Sequence, residues 1–412
     1  MRIAQINAIG GGGSTGRTSV ELAAYLAAHG HDSRIFYSEG TGAAPYAVRY
    51  MTDAERRAHA LLSRATGLQG YFSRGATRRL IRMLEEYRPD VVHLRNLHGN
   101  NICLPMLFGW LAKQKLPVVL TLHDCWAFTG KCTHPVRFDC DKFRGMHCAH
   151  CPALKDECPS WLFDHSKKMQ RDRQRWFSAL SDYRVVGVSA WAAAEARASG
   201  VFDAARVTSV YNWIDASVFR PEAAADKGLR EKLGLADRFV VLAAATSWAR
   251  WKRRDKGLAE VLHLAANLPD DCAVVLIGEV APGEALPGNL LHIPQITDPA
   301  RLAAYYAMAD VYVNPSIAET FGKTTAEAMC CGTPAVVYAL TASPELVEGG
   351  VGIAVPHAEG AEGILRAVLQ IRREGKAAYR DVCVQSARAR FSLAGNADAY
   401  VRLYEALLKK GE

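Results

Sequence analysis

Short runs of Val, Ile and Leu, each followed by an amphipathic helical pattern, recur along this chain, and that alternation excludes most folds. "RIAQINAI" precedes a helical pattern over Thr18–Ala28, "DVVHL" one over Leu104–Ala112, and "PVVLTLH", "RVVGVS" and "RVTSVYN" continue the series with a helix over Ala190–Ala198. After a break at Pro221 a second series begins. It holds "FVVLAAAT", a helix over Leu258–Ala266, "AVVLIG", "ADVYVNPS", a helix from about Thr324 to Cys331, and "PAVVY". Strands that alternate with helices form parallel sheets covered on both faces. A chain of 412 residues, 50% hydrophobic, exceeds what one core usually organises. The expected fold is therefore α/β, two Rossmann-like doubly wound domains spanning 1–208 and 209–390, followed by a helical stretch over 391–412. A ligand site is expected at a cleft facing the carboxyl ends of both sheets.

"INAIGGGGSTGRTSV" opens the first series, and Gly11, Gly13 and Gly16 have the G-x-G-x-x-G spacing of dinucleotide-binding turns. Glu39 lies where such a protein places its ribose-binding acid, so an NAD(P)-dependent oxidoreductase is one reading. Physically the loop offers less than that: a close backbone approach and helix N-terminal amides, which suit any phosphate or carboxylate. The formal net charge of +8 comes from scattered Lys and Arg, a balance that suits anionic ligands or an anionic membrane surface. No secretory h-region or membrane-length apolar run occurs, so the expectation is a cytoplasmic protein, with room for peripheral contact at the inner face of the membrane.

The anion is named by "NPSIAETFGKTTAEAMCCGTPAVVY", where Glu319 and Glu327 bracket a Phe-Gly turn at a strand-to-helix junction. Glu319 in the loop can accept bonds from sugar hydroxyls, Glu327 within the helix can reach a ribose diol, and the amides around Phe321, Gly322 and Lys323 open towards a diphosphate. This stretch closely resembles the E-x7-E signature of retaining GT-B glycosyltransferases, especially glycosyltransferase family 4. "VYNWIDASVFRP" is similar to that family's hinge, and "SWARWKRRDKGL" to the basic loop whose Arg and Lys stabilise the leaving nucleotide diphosphate. Lys256 matches the lysine; Arg250, Arg253 and Arg254 compete for the arginine, with Arg250 favoured. "TLHDCWAFTGKC" resembles a polysaccharide-biosynthesis subset of the family, and places His123 as the histidine near the donor sugar.

The resemblance implies a retaining, metal-independent hexosyltransferase of GT-B fold. It would move a sugar from a nucleoside diphosphate sugar to a hydroxyl of a glycan or lipid-linked acceptor, in cell-surface polysaccharide assembly. His123, Arg250, Lys256 and Glu319 would be catalytic, while Gly12, Gly13, Phe321, Gly322, Lys323, Thr324 and Glu327 would bind the donor. Charge grows on the departing diphosphate, so cations and helix amides lower the barrier there, and no general base is assigned. The final helix would return to the first domain. The alternatives are the oxidoreductase above and a non-catalytic sugar-nucleotide-binding protein.

Six of eleven cysteines lie between Cys125 and Cys158. Cys132, Cys140, Cys148 and Cys151 read C-x7-C-x7-C-x2-C, a set that suits a structural zinc; an iron–sulfur cluster, free thiols and disulfides are the other readings. The insertion interrupts the first domain directly after His123, which speaks against a nucleic-acid finger and for a loop shaping the acceptor side. Tyr71, Phe72, Arg74, Arg78 and Arg79 are candidates for membrane contact, or else belong to an ordinary helix packed on its sheet.

Overall fold

The computed structural model describes residues 1–42, 45–225, 228–248 and 256–409. The chain divides into two compact units, Met1–Tyr211 with Asn396–Glu412, and Asn212–Gly395.

The first unit runs β1 (Arg2–Ile9), α1 (Gly13–Ala28), β2 (Asp32–Glu39), β3 (Ala47–Arg49), α2 (Asp53–Thr66), α3 (Arg74–Tyr87), β4 (Val91–Leu94), α4 (Leu104–Gln114), β5 (Val118–Leu122), α5 (Ser166–Ser178), β6 (Tyr183–Gly187), α6 (Ala190–Ala198) and β7 (Val207–Ser209). Its described strands form a sheet of order β3-β2-β1-β4-β5-β6-β7, all pairs parallel, with Ile3 opposite both Ser33 and Val91 and Leu120 opposite Val185. β4 and β5 are buried along their whole length, as continuous apolar runs require when helices cover both faces. α1 starts earlier than its periodicity suggests, inside the glycine loop, because Gly12 and Gly13 add no apolar signal to the first turn.

The second unit contains α7 (Leu229–Lys232), β8 (Phe239–Ser247), α8 (Leu258–Asn267), β9 (Cys272–Glu279), β10 (Leu290–Ile293), α9 (Pro299–Met308), β11 (Val311–Asn314), α10 (Lys323–Cys330), β12 (Ala335–Tyr338), α11 (Ser343–Val347), β13 (Gly352–Val355), α12 (Gly360–Glu374) and α13 (Ala377–Phe391). Its described strands are again all parallel, in the order β10-β9-β8-β11-β12-β13. In both sheets the order reverses beside the first strand of the unit, the place where doubly wound sheets bind ligands.

The last helix, α14 (Leu393–Leu408), buries Tyr400 and Tyr404 in the first unit. Tyr404 Oη lies 2.8 Å from His93 Nδ1, His93 Nε2 lies 2.7 Å from Thr121 Oγ1, and Thr121 Oγ1 lies 2.9 Å from Tyr400 Oη. The network ties α14 to β4 and β5 and satisfies every polar group that it buries there.

Candidate active site

In the first unit, functional side chains gather at the carboxyl ends of β1, β4 and β5, which are neighbours in the sheet. At β1 the chain turns through the glycines: Gly12 caps α1 with extended backbone and Gly13 has φ +63°. A Cβ on Gly16 would lie 2.9 Å from the Gly11 carbonyl carbon, so the loop packs its backbone against the helix there because residue 16 is a glycine. Asn7 holds the turn from beneath, donating to Ser19 Oγ at 3.1 Å and accepting from the Asn96 amide at 3.4 Å.

His123 follows β5 directly, and Arg95 Nη2 lies 3.1 Å from its Nε2. A guanidinium can only donate, so His123 Nε2 accepts and the ring tautomer is set. Arg95 itself is 3% exposed and reaches Gln5 Oε1 at 3.0 Å and Thr18 Oγ1 at 2.8 Å, which links His123 to β1 and α1. Asp124 pairs with His98 at 2.7 Å and accepts from the Trp126 amide at 2.8 Å. Burial opposes the Asp124 charge, yet the His98 partner and the amide bond hold its carboxyl down at about 2. Burial likewise opposes the His98 charge, and the Asp124 carboxylate outweighs it and raises the imidazole above its ordinary value.

In the second unit the equivalent edge lies at the ends of β8, β11 and β12. Lys256 Nζ stands 2.6 Å from Glu319 Oε1 and 3.4 Å from Ser316 Oγ, and the two charged side chains are only 17% and 15% exposed. Gly257 makes this possible, since its φ is +76° and a Cβ would lie 2.6 Å from the Pro315 carbonyl oxygen. Glu319 is fixed through its main chain, its amide donating to Thr341 Oγ1 at 3.1 Å and its carbonyl accepting from Ala342 at 3.2 Å.

Gly322 caps α10 with φ +88°, and no side chain caps this helix. The first amides of α10, at Lys323 and Thr324, have no acceptor within the helix, so this end attracts an anion beside the Lys256–Glu319 pair. The Phe321 ring is 3% exposed and packs edge-on against Phe391 at 5.3 Å, which leaves only its main chain for a ligand. Thr324 shares a side-chain hydrogen bond with Tyr312. Glu327 is 4% exposed and accepts from Tyr306 Oη at 3.3 Å; burial pushes the Tyr306 phenol far up, which keeps its proton in that bond. Arg250, Arg253 and Arg254 lie outside the described residues.

Residues 11–218, half of the chain, match the family model described as Glycosyltransferase Family 4. The chain belongs to that family. Residues 238–374 match a second model, glycosyl transferases group 1. Among curated relatives, a D-inositol 3-phosphate glycosyltransferase of Mycolicibacterium gilvum is 29% identical over 216 residues, covering 49% of this chain and 47% of that protein. The match thus spans about half the length of that relative. Among solved structures, sucrose-phosphate synthase from Thermosynechococcus elongatus has a TM-score of 0.69 at 18% identity, covering 99% of each chain. An Anabaena protein crystallised in complex with UDP and glucose has a TM-score of 0.66 at 17% identity, covering 98% of this chain and 100% of its own. These likenesses establish the GT-B fold of two Rossmann-like domains.

Three residues at these edges escaped the sequence reading: Arg95, His98 and His93. Arg95 and His98 carry a weak signal in "HLRNLH", directly after a strand, whereas His93 sits within an apolar run and has none. Glu39, the acid of the dinucleotide reading, lies with its Oε1 3.5 Å from Arg56 Nη1.

Proposed function

We propose that this family 4 member is a retaining, metal-independent glycosyltransferase. It moves a hexosyl group from a nucleoside diphosphate sugar to a hydroxyl of a glycan or lipid-linked acceptor in cell-surface polysaccharide assembly. The observation that carries the proposal is the Lys256–Glu319 pair at 2.6 Å beside the open N-terminus of α10. An ammonium and a set of helix amides suit a departing diphosphate, and the carboxylate beside that ammonium suits sugar hydroxyls. Both partners are largely withdrawn from water, where charge interactions are stronger than at an open surface.

In this mechanism Lys256, with Arg250 and the amides of Lys323 and Thr324, takes up charge as the glycosidic C–O bond to the diphosphate breaks. Glu319 orients the sugar and, before the donor arrives, holds Lys256 in place. Glu327 takes the ribose, its geometry set by Tyr306. His123, oriented by Arg95, contacts the donor sugar. The departing phosphate oxygen accepts the proton of the attacking hydroxyl on the same face, so no side-chain base is needed and the anomeric configuration is retained.

No described helix is long and apolar enough to cross a membrane. The surface best suited to meet a lipid-linked acceptor is Trp161, Leu162 and Phe163, which are 50%, 75% and 52% exposed, with Lys155 Nζ donating to the Trp161 carbonyl. Tyr71 and Arg79 are less suited, since the first bonds Asp172 at 2.6 Å and the second donates to the Tyr50 carbonyl at 3.1 Å.

The test is a thermal-shift screen against UDP, GDP, ADP, dTDP, NAD and NADP, followed by transfer assays with the stabilising donor and NMR of the product anomer. Stabilisation by one nucleoside diphosphate and a product of donor configuration are expected. Stabilisation by NAD alone, or an inverted product, would overturn the proposal.

A further inference from the structure

Two buried cations stand beside the cysteines of the 125–158 segment, and among the described residues neither has a carboxylate within ion-pair distance. Lys131 is 2% exposed, and its Nζ donates to the Leu154 carbonyl at 2.8 Å and the Ala153 carbonyl at 3.5 Å. Arg173 is 3% exposed, lies 3.9 Å over the Trp126 ring and donates to the Thr129 carbonyl, while its Nε and Nη2 have no partner. The carboxylates nearby make their hydrogen bonds and ion pairs with other groups, and only Asp164 also acts on Lys131 through space. Glu157 pairs with Arg137 at 2.7 Å, Asp172 takes Lys168 and Tyr71, and Asp164 accepts the amides of Cys151 and Ser166. Buried charge left uncompensated is costly, so this arrangement calls for negative charge close by.

Four sulfurs are placed to supply it. Cys132, Cys140, Cys148 and Cys151 border one pocket together with Lys131, Gly130 and Phe143, and none of the four is in a disulfide. Cys148 Sγ accepts the Gly130 amide at 3.2 Å, and Cys151 Sγ accepts the amide of Ala153, two residues on. As they stand, no three His, Cys, Asp or Glu groups among the described residues are gathered tightly enough to hold an ion, so binding requires the sulfurs to draw together across the pocket.

We propose that Cys132, Cys140, Cys148 and Cys151 bind one zinc ion as four thiolates. Four S–H protons leave to solvent, four Zn–S bonds form, and nothing is oxidised or reduced. The complex carries two negative charges, which match Lys131 and Arg173. Between β5 and α5 the described chain has only two 3-10 turns, Pro135–Phe138 and Arg144–Met146, and Asp139, Met146, His150 and Cys158 all have positive φ. Such a segment has little regular structure of its own, and a metal would staple it directly behind His123 and Asp124.

The test is elemental analysis of the full chain purified without added metal. It is combined with mercurial titration in the presence of a chromogenic zinc indicator. One zinc per chain is expected, released as about four thiols react. The double variant Cys148→Ser/Cys151→Ser should retain less than about a tenth of that zinc and melt several degrees lower, while Cys330→Ser, a buried cysteine outside the cluster, keeps its zinc at the starting level. Absence of zinc from the wild-type chain, iron with visible absorbance in its place, or full zinc in the double variant would each overturn the assignment. None of these readouts uses a sugar donor, so their failure is separate from failure of the transferase proposal.

Discussion

At the residue scale the strongest expectations concern two ion pairs. Lys256→Met removes the cation proposed to meet the departing diphosphate; kcat should fall by about 10²–10³ while the fold persists, measured by steady-state kinetics beside circular dichroism. Glu319→Gln keeps the shape and removes the charge that holds Lys256, so turnover should fall again, and an unchanged kcat would remove Glu319 from the mechanism. The Asp124–His98 pair gives a pH dependence whose sign follows from both partners. Asp124 is held below its ordinary value, so its contribution is complete above about pH 4 and is lost as pH falls towards 2. His98 is raised, so its contribution is complete below about pH 6.5 and is lost as pH rises through the elevated value. The melting temperature should therefore decline on the alkaline side more steeply in the wild type than in Asp124→Asn, which has no carboxylate to stabilise the imidazolium.

At the scale of elements, the site depends on where two helices of the second unit begin. Gly257 and Gly322 both have positive φ, and a Cβ would meet the Pro315 carbonyl oxygen at 2.6 Å in the first case and Leu346 Cδ1 at 2.8 Å in the second. Gly257→Ala has backbone as its obstacle and should cost about 1–3 kcal/mol, read by chemical denaturation, with weaker nucleotide binding because Lys256 moves with the strained turn. Gly322→Ala meets the end of a flexible side chain, so its loss should be smaller. In the first unit, Tyr404→Phe leaves His93 Nδ1 without its partner in a fully buried site and should destabilise by about 1–3 kcal/mol. The helix starts were legible in "KGL" and "FGK" because glycine there has a backbone reason. The Tyr404–His93–Thr121–Tyr400 chain was not, since its members are separated by up to 311 positions and each reads alone as core.

At the scale of the molecule, α14 belongs from Asn396 onward to the first unit, although this stretch follows the whole of the second in the chain. Removing residues 396–412 would strip Ala397, Tyr400, Tyr404 and Leu407, all 2% exposed or less, from the first unit. Each large side chain is worth about 1.5–3 kcal/mol of burial, so the truncated protein should lose its cooperative first-unit transition and expose apolar surface, detectable by calorimetry and dye binding. A truncated chain that melts as the full chain does would show that α14 is dispensable.

The alternation of apolar runs and helical patterns determined by itself that two parallel α/β sheets would form in series, because period and burial are local properties written into each segment. The E-x7-E stretch suggested the family by resemblance, since a Phe-Gly turn between two glutamates has a spacing that survives without coordinates, and it is residues 11–218 that match the family model. Tertiary structure alone decided which distant groups meet: Lys256 against Glu319, Arg95 against His123, His98 against Asp124, and four cysteines around one pocket beside two buried cations. A charge or hydrogen bond depends on separation in space, and one sequence gives only separation along the chain.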